Sequence, residues 1–165
     1  LEFRRVLFRS TKFANERGAK CDLIVVGPID FDQSYLLNHG RIILGENFIF
    51  LGPIYSRNIK DQIMKLCHIF ALPSIGENFA LSLVEADSSG LHLLLSPHIG
   101  AIEILKDADI TIVSDLRLES WGNALIALST SLIRGKRDHF RIPYSADSWL
   151  SEASKYSFFL DAMSK

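Results

Sequence analysis

The chain has 165 residues, of which 48% are hydrophobic and 22% are charged, so it can bury one globular core. Its formal net charge of −1 excludes the strongly basic surface of a general nucleic-acid-binding protein, and no stretch reaches the apolar length of a membrane span. The two cysteines, Cys21 and Cys67, are far apart and fit a reduced, cytoplasmic chain rather than a disulfide scaffold.

Residues 1–10 (LEFRRVLFRS) resemble the conceptual translation of a short-read sequencing adapter. We therefore set them aside from the fold prediction, as is done for a tag or a fusion scar. The expected domain is residues 11–165, with the natural amino terminus lying upstream. A natural basic arm is the alternative interpretation of residues 1–10.

Helix-like and strand-like segments alternate from residue 11 onward. Short apolar runs closed by Gly-Pro or X-Pro mark buried strands, and the longer amphipathic stretches between them mark helices. In chain order the pattern predicts a strand at 23–26, a helix at 33–39 ended by Gly40, a strand at 47–51, and a helix at 58–66 with Ile59, Ile63 and Leu66 on one face. A strand at 68–72, a helix at 79–89 ended by Gly90, and strands at 92–95 and 110–113 follow. This alternation predicts an α/β fold, a Rossmann-like parallel sheet flanked by helices.

The last third of the chain changes character and carries two apolar stripes at helical spacing. Both predict faces that pack against other elements, because aromatic stripes of this kind are far more often core than cofactor site. The first stripe is Leu118, Trp121, Leu125, Leu128 and Leu132, and the second is Trp149, Ala153, Tyr156, Leu160 and Met163.

Two glutamates, Glu77 and Glu85, lie around the start of the predicted helix 79–89, just past the strand that Pro73 closes. Open α/β sheets bind ligands at this edge, where strand gives way to helix. Eight positions of helical rise cover about 12 Å, so a ligand that touches both glutamates is elongated and carries hydroxyl groups at both ends. The alternative is a solvated helix carboxylate at Glu85 and a charge that favours the helix amino terminus at Glu77.

The surrounding residues form an ordered signature, Pro-Ser-x-x-Glu-x-Phe-x-Leu-x-x-x-Glu-Ala. It is matched by Pro73, Ser74, Glu77, Phe79, Leu81, Glu85 and Ala86, and it is supported by the strand end 50–54, by Gly90, and by Gly100 with Glu103. On these residues the chain from 11 to its end resembles the C-terminal, donor-binding domain of a GT-B glycosyltransferase of family 4 (glycosyl transferases group 1). Members of that family are retaining enzymes that use a nucleotide-sugar.

The resemblance implies a role for each residue of the signature. Glu77 would be the catalytic residue that holds the hydroxyls of the donor sugar, and Glu85 would bind the ribose. The backbone at Asn78, Phe79, Ala80 and Leu81 would offer N–H groups to the diphosphate at the start of the helix. No cofactor and no metal ion are implied, and the five histidines show no zinc-type spacing. Two departures are Ala80, where many relatives have glycine, and the turn 99–103, which has one of two expected glycines.

The resemblance also implies what lies beyond the chain. We expect a missing amino-terminal domain to hold the acceptor, a glycan or a lipid-linked molecule of surface polysaccharide or glycoconjugate synthesis. The family's basic Gly-Arg…Lys-Gly segment would also lie upstream, so we expect the chain alone to be inactive and to bind donor weakly. The basic run Arg134, Lys136, Arg137 and Arg141 fits either a solvated loop or peripheral contact with the inner face of a membrane.

Other functions are compatible with the same architecture, because a fold does not fix a chemistry. The nearer alternative is another GT-B enzyme, such as a sugar-nucleotide epimerase or a phosphorylase. The other is a non-catalytic α/β nucleotide-binding module. A receiver-like module fits poorly, because the strand 68–72 ends in Pro73-Ser74 instead of an aspartate.

Overall fold

The computed structural model describes residues 2–28, 33–76, 80–100, 102, 105 and 108–134. Helices and parallel strands alternate in it, which confirms the predicted α/β class. In chain order the elements are α1 (Glu2–Asn15), β1 (Leu23–Val26), α2 (Gln33–Leu44), a 3₁₀ turn (Gly45–Asn47), β2 (Phe48–Gly52), α3 (Arg57–Leu66), β3 (Ile69–Leu72), α4 (Leu81–Ser88), β4 (His92–Leu95), β5 (Ile110–Ile112) and α5 (Leu118–Arg134).

The strands form two parallel sheets, where the sequence predicted one. The strand β1 pairs with β2, and Leu23 lies opposite Phe48. The other sheet has the order β3-β4-β5, and Ile69 lies opposite His92. No ladder joins β1 to β3 among the described residues. Periodicity identifies each strand but does not show which strands pair, so the division into two sheets could not be predicted.

The helix α1 packs against both sheets and links their cores. Its Phe8 is buried with Phe48 of β2, and the two rings meet edge to face with 5.3 Å between centroids. Its Ala14 lies in a second cluster with Leu94 of β4 and Trp121 of α5. Phe8, within the segment set aside from the fold prediction, is thus part of the core in this structure. The origin of residues 1–10 and the domain bounds 11–165 stay predictions.

The strand β4 is the centre of the three-stranded sheet and the support for α4. Leu93, Leu94 and Leu95 are all completely buried. On one face of the sheet, Leu93 and Leu95 share a cluster with Leu83 and Ala86 of α4. The opposite face carries Leu94 against α1 and α5. Because successive side chains of a strand point to opposite faces, β4 packs α4 on one face of the sheet and α1 and α5 on the other.

The predicted stop of α2 at Gly40 is wrong, because the helix continues to Leu44. Gly40 is buried inside the helix, and a β-carbon there would lie 3.0 Å from Cζ of Phe48 and 3.1 Å from Cζ of Phe8. The glycine makes room for two aromatic rings. In the sequence alone, a glycine needed for packing inside a helix looks the same as a glycine that ends one.

The helix α3 turns a different face to the core from the one predicted. Leu66 is 77% exposed and Ile59 is 49% exposed, whereas Met64 and Cys67 pack against the α4 cluster. The inward positions are thus displaced by about one residue from the expected stripe. Lys60, one turn before Met64, lies on this inward face.

The carboxyl-terminal end of α4 and the apolar face of α5 agree with the sequence. Leu91 N–H donates to Ala86 O and Gly90 N–H donates to Asp87 O, and Gly90 has a positive φ of 75°. This pair of bonds is the Schellman motif, which confirms Gly90 as the stop of α4. The first stripe of the last third is also confirmed, because its central residues, Trp121, Leu125 and Leu128, are buried. The second stripe, 149–163, lies outside the described residues.

Within the described part of the chain, no helix combines the length and the apolar character needed to cross a bilayer.

Candidate functional site

The loops after β3 and β4 are tied together at the carboxyl edge of the sheet. Ser96, which is almost completely buried, follows β4. Its backbone N–H donates to Leu72 O at 3.3 Å, and its hydroxyl donates to Ser74 O. The hydroxyl of Ser74 in turn donates to Gly76 O at 3.2 Å. These bonds hold the backbone that leads from the sheet toward position 77.

Three of the predicted site residues, Glu77, Asn78 and Phe79, lie outside the described residues, as does Glu103. Their assigned roles stay predictions. The described part of the site therefore begins at Ala80 and includes the whole of α4.

The helix α4 begins at the carboxyl edge of β3 without a capping side chain at its first position. Ala80 occupies the N-cap, with an extended backbone at φ −99° and ψ 101°, and it makes no side-chain cap bond. Its carbonyl accepts from Leu83 N–H at 2.9 Å. Serine, threonine, asparagine or aspartate at this position would satisfy an N–H of the first turn, and alanine does not. The helix start can therefore donate N–H groups to an anion.

The two predicted residues at this helix start face different surroundings. Ala80 is buried, and its methyl group belongs to the α4 cluster. Leu81 is 57% exposed. The methyl group that distinguishes Ala80 from glycine is thus accommodated in the core.

Glu85 lies in the second turn of α4 and is bonded to α3. Lys60 Nζ donates to Glu85 Oε1 at 2.7 Å, and the two side chains are 30% and 21% exposed. The neighbouring turns of the two helices also meet, because Ser89 Oγ lies 3.7 Å from Met64 Sδ. The carboxylate predicted to bind ribose is therefore charge-paired and held between two helices.

Sequence reasoning missed Lys60 and Ser96. The available signal for Lys60 is its spacing, since Lys60, Met64 and Cys67 recur at i, i+4 and i+7 on one helix face. A lysine in an inward stripe needs an acidic partner, and Glu85 supplies it. Ser96 follows the buried strand β4 directly and precedes a proline, as Ser74 follows Pro73 after β3, but no local pattern indicates that the two loops bond to each other.

Two titratable groups with a shifted pKa, His92 and Cys21, lie away from this edge. Burial lowers the pKa of His92 at the start of β4, and the nearby charge of Asp109 offsets this in part. The His92 Nε2 atom is 2.8 Å from Thr111 Oγ1. Burial, and secondarily Asp22, raises the pKa of the Cys21 thiol. The cysteines Cys21 and Cys67 are free thiols.

No three His, Cys, Asp or Glu side chains of the described residues come together as a metal site would require.

Comparison with known proteins identifies the family of the chain. No curated protein matches it. Solved structures similar to the chain include WaaG, a glycosyltransferase involved in lipopolysaccharide biosynthesis, with a TM-score of 0.61 and 18% identity over 77% of this chain and 34% of that one. Another is Anabaena Alr3699/HepE in complex with UDP-glucose, with a TM-score of 0.56 and 22% identity over 78% of this chain and 35% of that one.

A third similar structure is a trehalose-6-phosphate protein from E. coli bound with UDP-2-fluoro glucose, with a TM-score of 0.57 and 15% identity over 80% of this chain and 36% of that one. The chain thus spans about a third of the length of each of these structures. At these identities the likeness shows a shared fold. The model of the family described as glycosyl transferases group 1 matches residues 7–132. Because that match covers most of the sequence, the chain belongs to the glycosyl transferases group 1 family.

Proposed function

We propose that this chain is the donor-binding part of a retaining glycosyltransferase, which transfers a sugar from a nucleotide-sugar to an acceptor without a metal ion. Glu77 holds the hydroxyls of the sugar, and Glu85 accepts hydrogen bonds from the ribose. The N–H groups of residues 78–81 bind the diphosphate. Catalysis then consists of positioning the donor and stabilising the charge of the leaving diphosphate.

The observation that carries this proposal is the start of α4. Among the described residues, α4 begins past the carboxyl end of β3 with an alanine N-cap that makes no side-chain cap bond. A carboxylate, Glu85, follows one turn later. A nucleoside diphosphate has the complementary order of groups, because its anionic diphosphate is directly joined to a ribose that carries hydroxyls. Family membership and neighbours bound to UDP-glucose and UDP-2-fluoro glucose support the same ligand class.

The ligand proposal is tested by donor binding to the chain itself. UDP-, GDP- and ADP-glucose are titrated against the wild-type chain and the Glu85→Gln variant, with ligand-observed NMR as a readout suited to weak binding. We expect one donor to bind in the millimolar range or tighter and Glu85→Gln to weaken it about tenfold, the equivalent of about 1.4 kcal/mol. Glu46→Gln, at an exposed position in the 3₁₀ turn, is the control and should bind as the wild type does. Equal binding by Glu85→Gln and wild type contradicts the proposal.

The division of labour between the two glutamates is tested in a longer protein that carries this domain together with an acceptor-binding domain. We expect Glu85→Ala to raise the donor KM more than Glu77→Ala does, and Glu77→Ala mainly to lower kcat. Small and equal effects of both substitutions would overturn the assigned roles. Analysis of the products also separates transfer to an acceptor from epimerisation or phosphorolysis.

The proposed setting is surface polysaccharide or glycoconjugate synthesis at the inner face of the membrane, with a glycan or lipid-linked acceptor. The acceptor and the biosynthetic setting rest on the family resemblance. The membrane contact rests on the basic run Arg134, Lys136, Arg137 and Arg141, most of which lies outside the described residues. Sedimentation with anionic and with neutral vesicles tests the membrane contact. If the same fraction of the chain sediments with both kinds of vesicle, the proposed membrane contact is wrong.

A further inference from the structure

Lys60 of α3 is the described residue that bonds the carboxylate of Glu85, and nothing in the sequence motif accounts for it. The distance of 2.7 Å between Nζ and Oε1 is that of a short, charge-assisted hydrogen bond. Both side chains are largely buried, so solvent screens their attraction less than it screens a surface pair. The pair therefore fixes where the glutamate side chain points.

The backbone around this pair leaves it little freedom. On the α3 side, Met64 and Cys67 pack into the α4 cluster and set the rotation of the helix about its axis. On the α4 side, Leu83 and Ala86, which flank Glu85, are completely buried against the sheet. Since both backbones are anchored by core packing, the ammonium group meets the carboxylate between two fixed helices.

A carboxylate has about four lone-pair sites on its two oxygens, so one bond from a lysine leaves acceptor capacity for other donors. The vicinal hydroxyls of a ribose are two such donors, held close together in one ring. A glutamate that is already oriented loses less side-chain entropy when it binds them, and this lowers the cost of association.

We propose that Lys60 is a positioning residue for nucleotide binding, which acts by holding Glu85 in the orientation that accepts the ribose hydroxyls. This inference rests on the proposed function of Glu85. It adds a residue of α3 to a site otherwise built from the β3–α4 connection. Lys60 acts through Glu85 and is not a ligand of the diphosphate.

The test compares two ligands on a small set of variants of this chain. The ligands are whichever of UDP, GDP and ADP binds the wild type most tightly and the 2′,3′-dideoxy form of the same nucleotide. The variants are Lys60→Met, Lys60→Arg and Glu85→Gln. Lys12→Met is the matched control, because it removes the same charge from an ion pair on α1, with Glu16 at 3.9 Å.

We expect Lys60→Met to weaken the ribose nucleotide about tenfold and to leave the affinity for the dideoxy nucleotide within about twofold of wild type. Lys60→Arg should restore most of the loss, because a guanidinium also bonds a carboxylate. In the Glu85→Gln background, Lys60→Met should have little additional effect, as expected for two residues that act as one unit.

Two results would overturn the positioning role while leaving the proposed function intact. One is unchanged binding by Lys60→Met when Glu85→Gln weakens binding. The other is an equal loss for the ribose and dideoxy nucleotides, which would mean that Lys60 acts on the diphosphate or on the fold as a whole. If Glu85→Gln binds as the wild type does, or the wild type binds none of the three nucleotides, the proposed function fails and the inference fails with it.

Discussion

At the scale of single residues, close packing limits which side chains a position can accept. Gly122 of α5 lies against the ring of Phe13 on α1, and a β-carbon at Gly122 would fall 2.4 Å from Phe13 Cδ1. The guanidinium carbon of Arg17 lies 3.5 Å from the centroid of the same ring. The ring therefore lies in contact with α5 and with Arg17 in the turn after α1, and the glycine permits the close approach of α1 and α5.

We expect Gly122→Ala to lower the free energy of unfolding by about 1–2 kcal/mol, because overpacking outweighs the better helix propensity of alanine. Urea denaturation measures the change. In a Phe13→Ala background the clash is absent, so the same substitution should be neutral or stabilising there. Equal destabilisation in both backgrounds would contradict the packing argument.

A second prediction at this scale concerns His92, whose pKa burial lowers from its ordinary value of 6.5. Below that value the unfolded chain binds a proton that the folded chain resists, so the free energy of unfolding falls as the pH drops. Between about pH 7.5 and pH 5.5 this loss should be smaller in His92→Gln, which cannot titrate and can still bond Thr111. His98→Gln, at an exposed position, should keep the wild-type pH dependence. An unchanged dependence in His92→Gln would contradict the account.

At the scale of elements, α1 is the piece that connects the two sheets. Phe8 and Ser10 in its middle turns are buried, and Ser10 Oγ donates to Leu118 O at the start of α5 with a distance of 3.0 Å. The helix thus packs against several elements at once, among them α2, β2, β4 and α5.

We expect Phe8→Ala to lower the free energy of unfolding by about 3–5 kcal/mol, the usual cost of removing a fully buried phenylalanine. Ile42→Ala on α2 is the control, because Ile42 is 81% exposed. Thermal or urea denaturation of the two variants measures the difference. Equal stability of Phe8→Ala and Ile42→Ala would mean that residues 2–10 do not pack as described.

The elements also show which parts of the fold can be predicted from the sequence. Most strands and the stop of α4 at Gly90 could be predicted, because short apolar runs and a helix-ending glycine are local signals. The predicted helix stop at Gly40 is wrong, because a glycine that is required for packing cannot be distinguished in the sequence from one that ends a helix. The inward face of α3 could not be predicted either, because the part-buried Lys60 has its partner 25 positions along the chain.

At the scale of the whole molecule, the candidate site lies where several elements meet. Ser96 bonds the loop after β3 to the loop after β4 at the carboxyl edge of the sheet. The helix α4 begins nearby with Ala80 as an N-cap that makes no side-chain bond, and Lys60 of α3 bonds Glu85. The sequence motif indicates this edge as the candidate site, because the signature is local. The contribution of α3 arises from tertiary packing that a local signature does not encode.

The central claim is that a nucleotide-sugar binds at the start of α4. The most direct test is a backbone amide NMR titration of the chain with UDP-, GDP- and ADP-glucose. For the donor that binds, we predict the largest shift changes at Leu81, Ser82 and Leu83 and a smaller change at Glu85, with Ile24 of β1 and Ile49 of β2 unaffected. Saturable changes that leave the first turn of α4 untouched, or no change with any of the three donors, would contradict the account.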